Sequence, residues 1–184
     1  MEAAEVIDKM ARVLILGGAR SGKSRFAQEL ASRLGDEVLF VATGSPLDEE
    51  MRVRIEEHKK RRPDKWRTLE LSWDVGESIG RSLERVVILD CITLLINNVI
   101  FKSDDDDDGD VQGRVKREIE ELIDHTDGLK TLIMVSNEVG MGIVPLSKLG
   151  RDYRDLLGWA NQRLAESADE VYLMVAGIPM RIKP

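Results

Sequence analysis

The chain has 184 residues, 42% of them hydrophobic and 33% charged, with a formal net charge of −7 and one cysteine. That length suits a single domain with a core of its own, and the aliphatic content excludes disorder along the whole chain. The acidic balance argues against a generally basic nucleic-acid binder, and Cys91 alone can form neither an internal disulfide nor a zinc cluster, which suits a reducing cytoplasm.

Residues 1–11 read as a flexible N-terminal extension, with 12–184 as the single domain. The extension mixes Glu2, Glu5, Asp8 and Lys9 without an apolar core, so it does not read as a signal peptide. The longest apolar runs, Val13–Leu16, Val86–Leu89 and Leu132–Val135, have the length of strands and are too short to span a bilayer.

From Arg12 the pattern alternates. Arg12–Leu16 has strand character and leads into a Gly-rich turn, Gly17–Gly22. Lys23–Leu34 reads as a helix with Phe26, Leu30 and Leu34 on one face and Gly35 at its end. Glu37–Ala42 is the next strand. Asp48–Arg62 is a helix with acidic residues in its first turn and Lys59, Lys60, Arg61 and Arg62 in its last, stopped by Pro63. Thr68–Leu71 suits a short strand, Val75–Leu83 a helix, and Val86–Asp90 a buried strand. Cys91–Phe101 is apolar and helical, and Ser103–Asp110 is an acidic loop. Val111–His125 is an amphipathic helix, Thr131–Ser136 a strand, Arg151–Ala168 a helix, and Glu170–Ala176 a last strand. Continuous apolar strands separated by helices predict an α/β fold, a three-layer domain with a mostly parallel sheet covered on both faces.

Gly17-Gly18-Ala19-Arg20-Ser21-Gly22-Lys23-Ser24 fits G-x-x-x-x-G-K-[ST], after a strand and before a helix. Glycines let successive N–H groups curl toward phosphate oxygens, and the helix adds its positive end. Lys23 is placed to reach the β- and γ-phosphates, and the Ser24 hydroxyl to ligate Mg²⁺. Arg20 and Ser21 can add bonds to phosphate. Val86–Asp90 has the form of a Walker B strand, so Asp90 is the second candidate magnesium ligand; a capping role for the next helix is the alternative. There is no N-K-x-D motif, and Asp106–Gly109 follows no strand, so a GTPase switch is not indicated. At this size a small-molecule or nucleotide kinase is the natural reading of a RecA-like P-loop domain.

The P-loop residues Gly17–Ser24 resemble those of the bifunctional adenosylcobinamide kinase/adenosylcobinamide-phosphate guanylyltransferase family. The likeness continues through Ala42-Thr43, Asp48–Met51, Arg54-Ile55, His58-Lys59, Arg62-Pro63, Trp66-Arg67 and Asp90–Thr93. It extends over Ser136–Pro145, Arg154-Asp155, Asn161–Ala165 and Val175–Pro179, covering about residues 12–183 in order. Asp90 stands where relatives often have Glu, and Glu57-His58 where some have adjacent histidines. The resemblance implies phosphorylation of adenosylcobinamide by ATP or GTP. Transfer of GMP from GTP through a histidine then yields adenosylcobinamide-GDP. It implies His58 as nucleophile, and GTP contacts from the P-loop, Thr43, Gly44, Ser45, Lys59, Lys60, Arg61, Arg62, Glu70 and Asp90. It also implies a homotrimer.

The residues are compatible with those roles. A neutral imidazole exists at physiological pH, and Met51, Ile55 and His58 fall on one helix face with Arg54 and Arg62 a turn away. Lys59–Arg62 otherwise reads as a solvated helix end, and Asp104–Asp108 as a solvated insert rather than a Ca²⁺ loop. His125 reads as structural and Cys91 as packed rather than reactive. Glu138 suits either a corrinoid or a trimer contact. Two rival functions stay open: a P-loop kinase of another metabolite with His58 silent, and a nucleotide-dependent binding module.

Overall fold

The computed structural model describes residues 11–44, 49–60, 62–102 and 110–184. Residues 1–10 of the expected N-terminal extension and most of the acidic loop lie outside these residues. So do Ser45 and Arg61, and the side chains of Met51, Arg54, His58 and Lys60 within their helix. Ala11, assigned to that extension, instead opens the first strand and donates its N–H to the Lys130 carbonyl at 2.9 Å.

In chain order the elements are β1 (Ala11–Gly17), α1 (Lys23–Leu34), β2 (Val38–Ala42), α2 (Glu49–Lys60), β3 (Arg67–Glu70) and α3 (Val75–Ile79). There follow β4 (Val86–Asp90), α4 (Ile92–Phe101), α5 (Val111–His125), β5 (Thr131–Val135), α6 (Lys148–Ser167), β6 (Glu170–Val175) and β7 (Ile178–Lys183). The seven strands form one sheet in the order β3-β2-β4-β5-β1-β6-β7. Every pairing is parallel except β6 with β7.

The pleat divides each continuous apolar run between two layers. On β4, Val86 and Ile88 face the layer that holds α1, and Val87 and Leu89 face the layer of α3 to α6. Val13 and Ile15 of β1 and Ile133 and Val135 of β5 share the α1 side, while Leu14, Leu132 and Met134 turn to the other. The fold is the three-layer α/β sandwich expected from the sequence. Among the described residues, no helix is long and apolar enough to cross a membrane.

Three elements differ from the reading of the sequence. The helix expected over Val75–Leu83 stops at Ile79, where Gly80 ends it; Leu83 points fully into solvent and gives the chain no reason to continue. The helix expected from Arg151 starts three residues earlier, because the Ser147 hydroxyl caps it by accepting the Gly150 N–H at 3.1 Å. The strand Glu170–Ala176 is not the last. Ala176 and Gly177 both adopt positive φ and turn the chain into the antiparallel edge strand β7. Pro179 masks that strand in the sequence, but an edge tolerates a missing donor. The Lys183 ammonium then donates to the carbonyls of Ala165, Glu166 and Ala168, satisfying the end of α6.

Short α3 survives because α5 supports it. The buried Glu118 carboxylate of α5 accepts the N–H groups of Asp74 and Val75, each at 3.0 Å. Gly76 permits the approach: a Cβ there would lie 2.5 Å from the Glu121 carbonyl oxygen and 2.8 Å from the Leu122 Cα. Those atoms belong to backbone and cannot swing aside. Gly76→Ala is therefore expected to cost about 2 kcal/mol by overpacking, outweighing a helix-propensity gain of about 1 kcal/mol. Urea unfolding checks this, and an unchanged or raised midpoint contradicts it.

Candidate nucleotide site

The site lies at the carboxyl ends of the parallel strands, where α/β sheets of this kind bind ligands. Ala42, Asp90, Val135 and Ile15 fall in one row across β2, β4, β5 and β1. The Gly17–Ser24 loop leaves just beyond that row, on β1. Gly17 has φ 151°, and a Cβ there would meet the Met174 carbonyl at 2.6 Å and the Ser21 Oγ at 2.7 Å. Only glycine fits at this point.

The loop exposes Gly18, Ala19 and Arg20 as a crest and buries Ser21 and Lys23. Lys23 folds back and donates to the Gly18 carbonyl at 2.7 Å. Desolvation lowers its pKa, while the charge of Asp90 opposes that shift and favours the ammonium. The buried Ser21 Oγ has no hydrogen-bond partner among the described residues. Helix α1 opens at Lys23 without a side-chain cap and without an acidic residue in its first turn. An exposed loop crest, the uncapped N-terminal end of a helix and a buried cation thus occur together here, the features that favour an anion. The hairpin turn supports it from behind, since Gly177 N–H donates to the Ser21 carbonyl at 2.9 Å.

Asp90, at the end of β4, acts electrostatically on Lys23 and on Arg62, and so links the two basic parts of the site. Its strand end is clamped to β2 by Thr43. The Thr43 hydroxyl accepts the Cys91 N–H at 2.8 Å and donates to the Cys91 carbonyl at 2.7 Å. Asn98 Nδ2 donates to the Thr43 carbonyl at 2.8 Å. The Asp90–Cys91 peptide is cis. The Cys91 thiol is enclosed, and burial pushes it up to about 12, so it is packed rather than reactive, as expected. Ser24 and Asp90 offer a hydroxyl and a carboxylate, the hard oxygen donors that Mg²⁺ takes together with phosphate oxygens and water.

The second part of the site follows α2. Lys59 pairs with Glu70 at 2.8 Å. The Arg62 guanidinium stacks 3.7 Å from the centre of the Phe40 ring, and its buried Nε and one Nη have no partner among the described residues. Burial lowers the Arg62 pKa, with Asp90 and Glu70 opposing the shift. A cavity of about 370 Å³ opens beside it, lined by Lys59, Arg62, Pro63, Asp64, Trp66, Thr68 and Glu70. The structure thus brings Lys59, Arg62 and Glu70 together at the ends of β2 and β3, near Asp90. Gly44 follows Thr43 at the same end of β2. His58 and Lys60 lie on the last turn of α2.

A sequence profile for the family described as cobinamide kinase/cobinamide phosphate guanyltransferase matches residues 13–182. The bifunctional adenosylcobalamin biosynthesis protein CobU of Escherichia coli is 42% identical over 182 residues, covering 93% of this chain and 99% of that one. The corresponding protein CobP of Pseudomonas aeruginosa is also 42% identical, over 175 residues, covering 94% and 97%. The chain belongs to this family. Among solved structures, a prototypical ATPase of the type III secretion system of pathogenic bacteria superposes with a TM-score of 0.58 at 12% identity, covering 90% of this chain and 51% of that one. That likeness establishes the RecA-like P-loop fold and nothing about substrate.

The sequence missed the polar frame behind the site. The Ser136 hydroxyl donates to Asn161 Oδ1 at 2.7 Å, and Asn161 Nδ2 donates to the Asn137 carbonyl at 3.0 Å. Asn137 N–H donates to Thr93 Oγ1 at 2.8 Å, and the Tyr153 hydroxyl to the Thr93 carbonyl at 3.0 Å. Burial pushes the Tyr153 phenol up to about 12, so it remains a donor. These partners lie up to 60 residues apart, and no local pattern joins them.

Proposed function

We propose that the protein phosphorylates adenosylcobinamide with ATP or GTP and then guanylylates the product. In the first reaction, the corrinoid hydroxyl oxygen attacks the γ-phosphorus and releases its proton to solvent; the bond to the β–γ bridging oxygen breaks and a nucleoside diphosphate leaves. The P-loop amides and Lys23 hold the triphosphate, and Ser24 and Asp90 hold Mg²⁺. When bound, that ion neutralises charge on the phosphate oxygens. In the second reaction, a His58 imidazole nitrogen attacks the α-phosphorus of GTP and pyrophosphate leaves. The phosphate oxygen of the phosphorylated corrinoid then attacks the same phosphorus, the P–N bond breaks, and adenosylcobinamide-GDP forms.

The observation that carries this reading is the P-loop, with Lys23 and Asp90 in electrostatic contact, in a chain of the cobinamide kinase/guanyltransferase family. The partnerless Arg62 guanidinium and the adjoining cavity support a second anion position, which Thr43, Gly44, Ser45, Lys59, Lys60, Arg61 and Glu70 would complete around GTP. Action as a cytoplasmic homotrimer belongs to the same reading. The exposed Ile178, Met180 and Ile182 on edge strand β7 support self-association.

The test is incubation with α-labelled GTP, Mg²⁺ and adenosylcobinamide. Label retained on the denatured protein, followed by a corrinoid carrying GMP, is the expected result. A phosphorylated corrinoid without protein-bound label identifies a simple kinase. An unmodified corrinoid overturns the proposal.

A further inference from the structure

Between β5 and α6 the chain runs through Glu138-Val-Gly-Met-Gly-Ile-Val-Pro-Leu146 and buries little of its apolar content. Met141 is 81% exposed, Ile143 96%, Val144 57% and Leu146 99%. Four large apolar side chains in six residues form a patch that solvent alone does not favour.

This segment starts at the phosphate loop. Strand β5 lies between β1, which carries the loop, and β4, which carries Asp90. The first residue of the segment, Glu138, donates its N–H to the Gly17 carbonyl at 3.0 Å, and the next carbonyl along the loop, that of Gly18, holds Lys23. The lip is also fixed in place. The Glu138 carboxylate accepts the Gly140 N–H at 2.6 Å, and Arg151 donates to the carbonyls of Pro145 and Leu146 at 3.1 and 2.6 Å. The frame of Ser136, Asn137, Asn161, Thr93 and Tyr153 holds its root. An exposed apolar segment anchored at both ends is preorganised for a partner.

We propose that this lip is the acceptor-binding surface, and that Met141, Ile143, Val144 and Leu146 take the face of the corrin macrocycle while its hydroxyl arm reaches toward the loop. The inference rests on the substrate named under the proposed function. A corrin is a broad disc edged with methyl groups and amide arms, so it needs an apolar platform larger than one pocket. The cavity beside Arg62 is a poor alternative, since Lys59, Arg62, Asp64 and Glu70 give its lining a largely charged character. A second copy of the chain seated on the lip would close the acceptor side of the phosphate loop.

The test compares wild type, an Ile143→Ser/Leu146→Ser double variant and a Leu83→Ser control. Leu83 is 93% exposed and precedes β4, at the opposite end of the sheet from the loop. Equilibrium dialysis against dicyanocobinamide reads the corrinoid directly by its colour, dialysis against GTP reads the nucleotide site, and sedimentation velocity reads assembly. Loss of two apolar contacts should weaken dicyanocobinamide binding about tenfold or more in the double variant. GTP affinity and sedimentation should stay at wild-type values, and the control should match wild type throughout. Wild-type corrinoid affinity in the double variant overturns the lip and leaves the proposed function standing. An altered sedimentation coefficient makes the lip an interface between copies and also overturns it. Wild type that binds no dicyanocobinamide overturns both the lip and the substrate on which it rests.

Discussion

Lys23→Ala is expected to lower phosphoryl transfer and guanylyl transfer together, each by about a thousandfold. The reason is geometric. The chain contains one G-x-x-x-x-G-K-[ST] loop, and in the proposed function both reactions would draw their triphosphate from that cradle. Lys23 is the buried cation of that cradle, held inward by its bond to the Gly18 carbonyl and kept charged by Asp90 against the cost of desolvation. Removing it takes away one of the two cations that Asp90 faces, and the weaker charge balance there compounds the loss. Fold should survive, because the core clusters on either side of the sheet do not include the lysine. The measurement is parallel initial rates for the two products at saturating GTP, with a thermal midpoint as control. Guanylylation at the wild-type rate in a variant that has lost phosphorylation would show two separate nucleotide sites and refute the single-cradle reading.

The parts of the molecule that the sequence made legible are those whose cause is local. Each buried strand announced itself as a short apolar run, because a parallel sheet covered on both faces needs apolar side chains on both. The P-loop was readable because its requirements for glycine and lysine are met within eight consecutive residues. Strand β7 was not readable, since Pro179, Arg181 and Lys183 look unlike a strand until Glu170 and the end of α6 are there to receive the two cations. The Thr43 clamp depends on the register that sets Ala42 against Asp90, which no spacing along the chain reveals. Arg62 looked like a solvated cation at a helix end. Only the folded structure shows that the turn after α2 lays it over Phe40 and leaves part of its guanidinium buried without a partner among the described residues. The lip was legible as a motif but not as a surface: its sequence is conspicuous, whereas its anchoring by Arg151 and Glu138 emerges only in three dimensions.

The second large effect concerns His58. Phosphorylation of the corrinoid needs a held triphosphate and an aligned hydroxyl, which the loop, Lys23, Ser24 and Asp90 can supply without an imidazole. Guanylyl transfer through a covalent intermediate needs a nitrogen nucleophile. The chain has two histidines, and the other, His125, is exposed at the end of α5, where its carbonyl lies against Gly80 ahead of β4 rather than at the carboxyl ends of the strands. His58 sits on the last turn of α2, one turn before Arg62 and next to Lys59, two cations that the structure turns toward Glu70 and Asp90. In the proposed function those charges would steady an α-phosphate as negative charge builds on it. His58→Ala should therefore abolish the GMP adduct on the protein and lower guanylyl transfer by about a thousandfold or more, as removal of a nucleophile does. The kinase reaction should persist in large part, reduced only as far as α2 helps to seat GTP. His58→Asn keeps polarity at the same position without a comparable nucleophile and should behave alike, which separates loss of chemistry from loss of packing. Intact-mass spectrometry after incubation with GTP and Mg²⁺ reads the adduct, and acid treatment should remove it from wild type because a P–N bond is acid-labile. A GMP-sized adduct that persists in His58→Ala would assign the nucleophile elsewhere, whereas loss of both reactions in His58→Asn would make the imidazole part of the nucleotide seat rather than the acceptor of GMP.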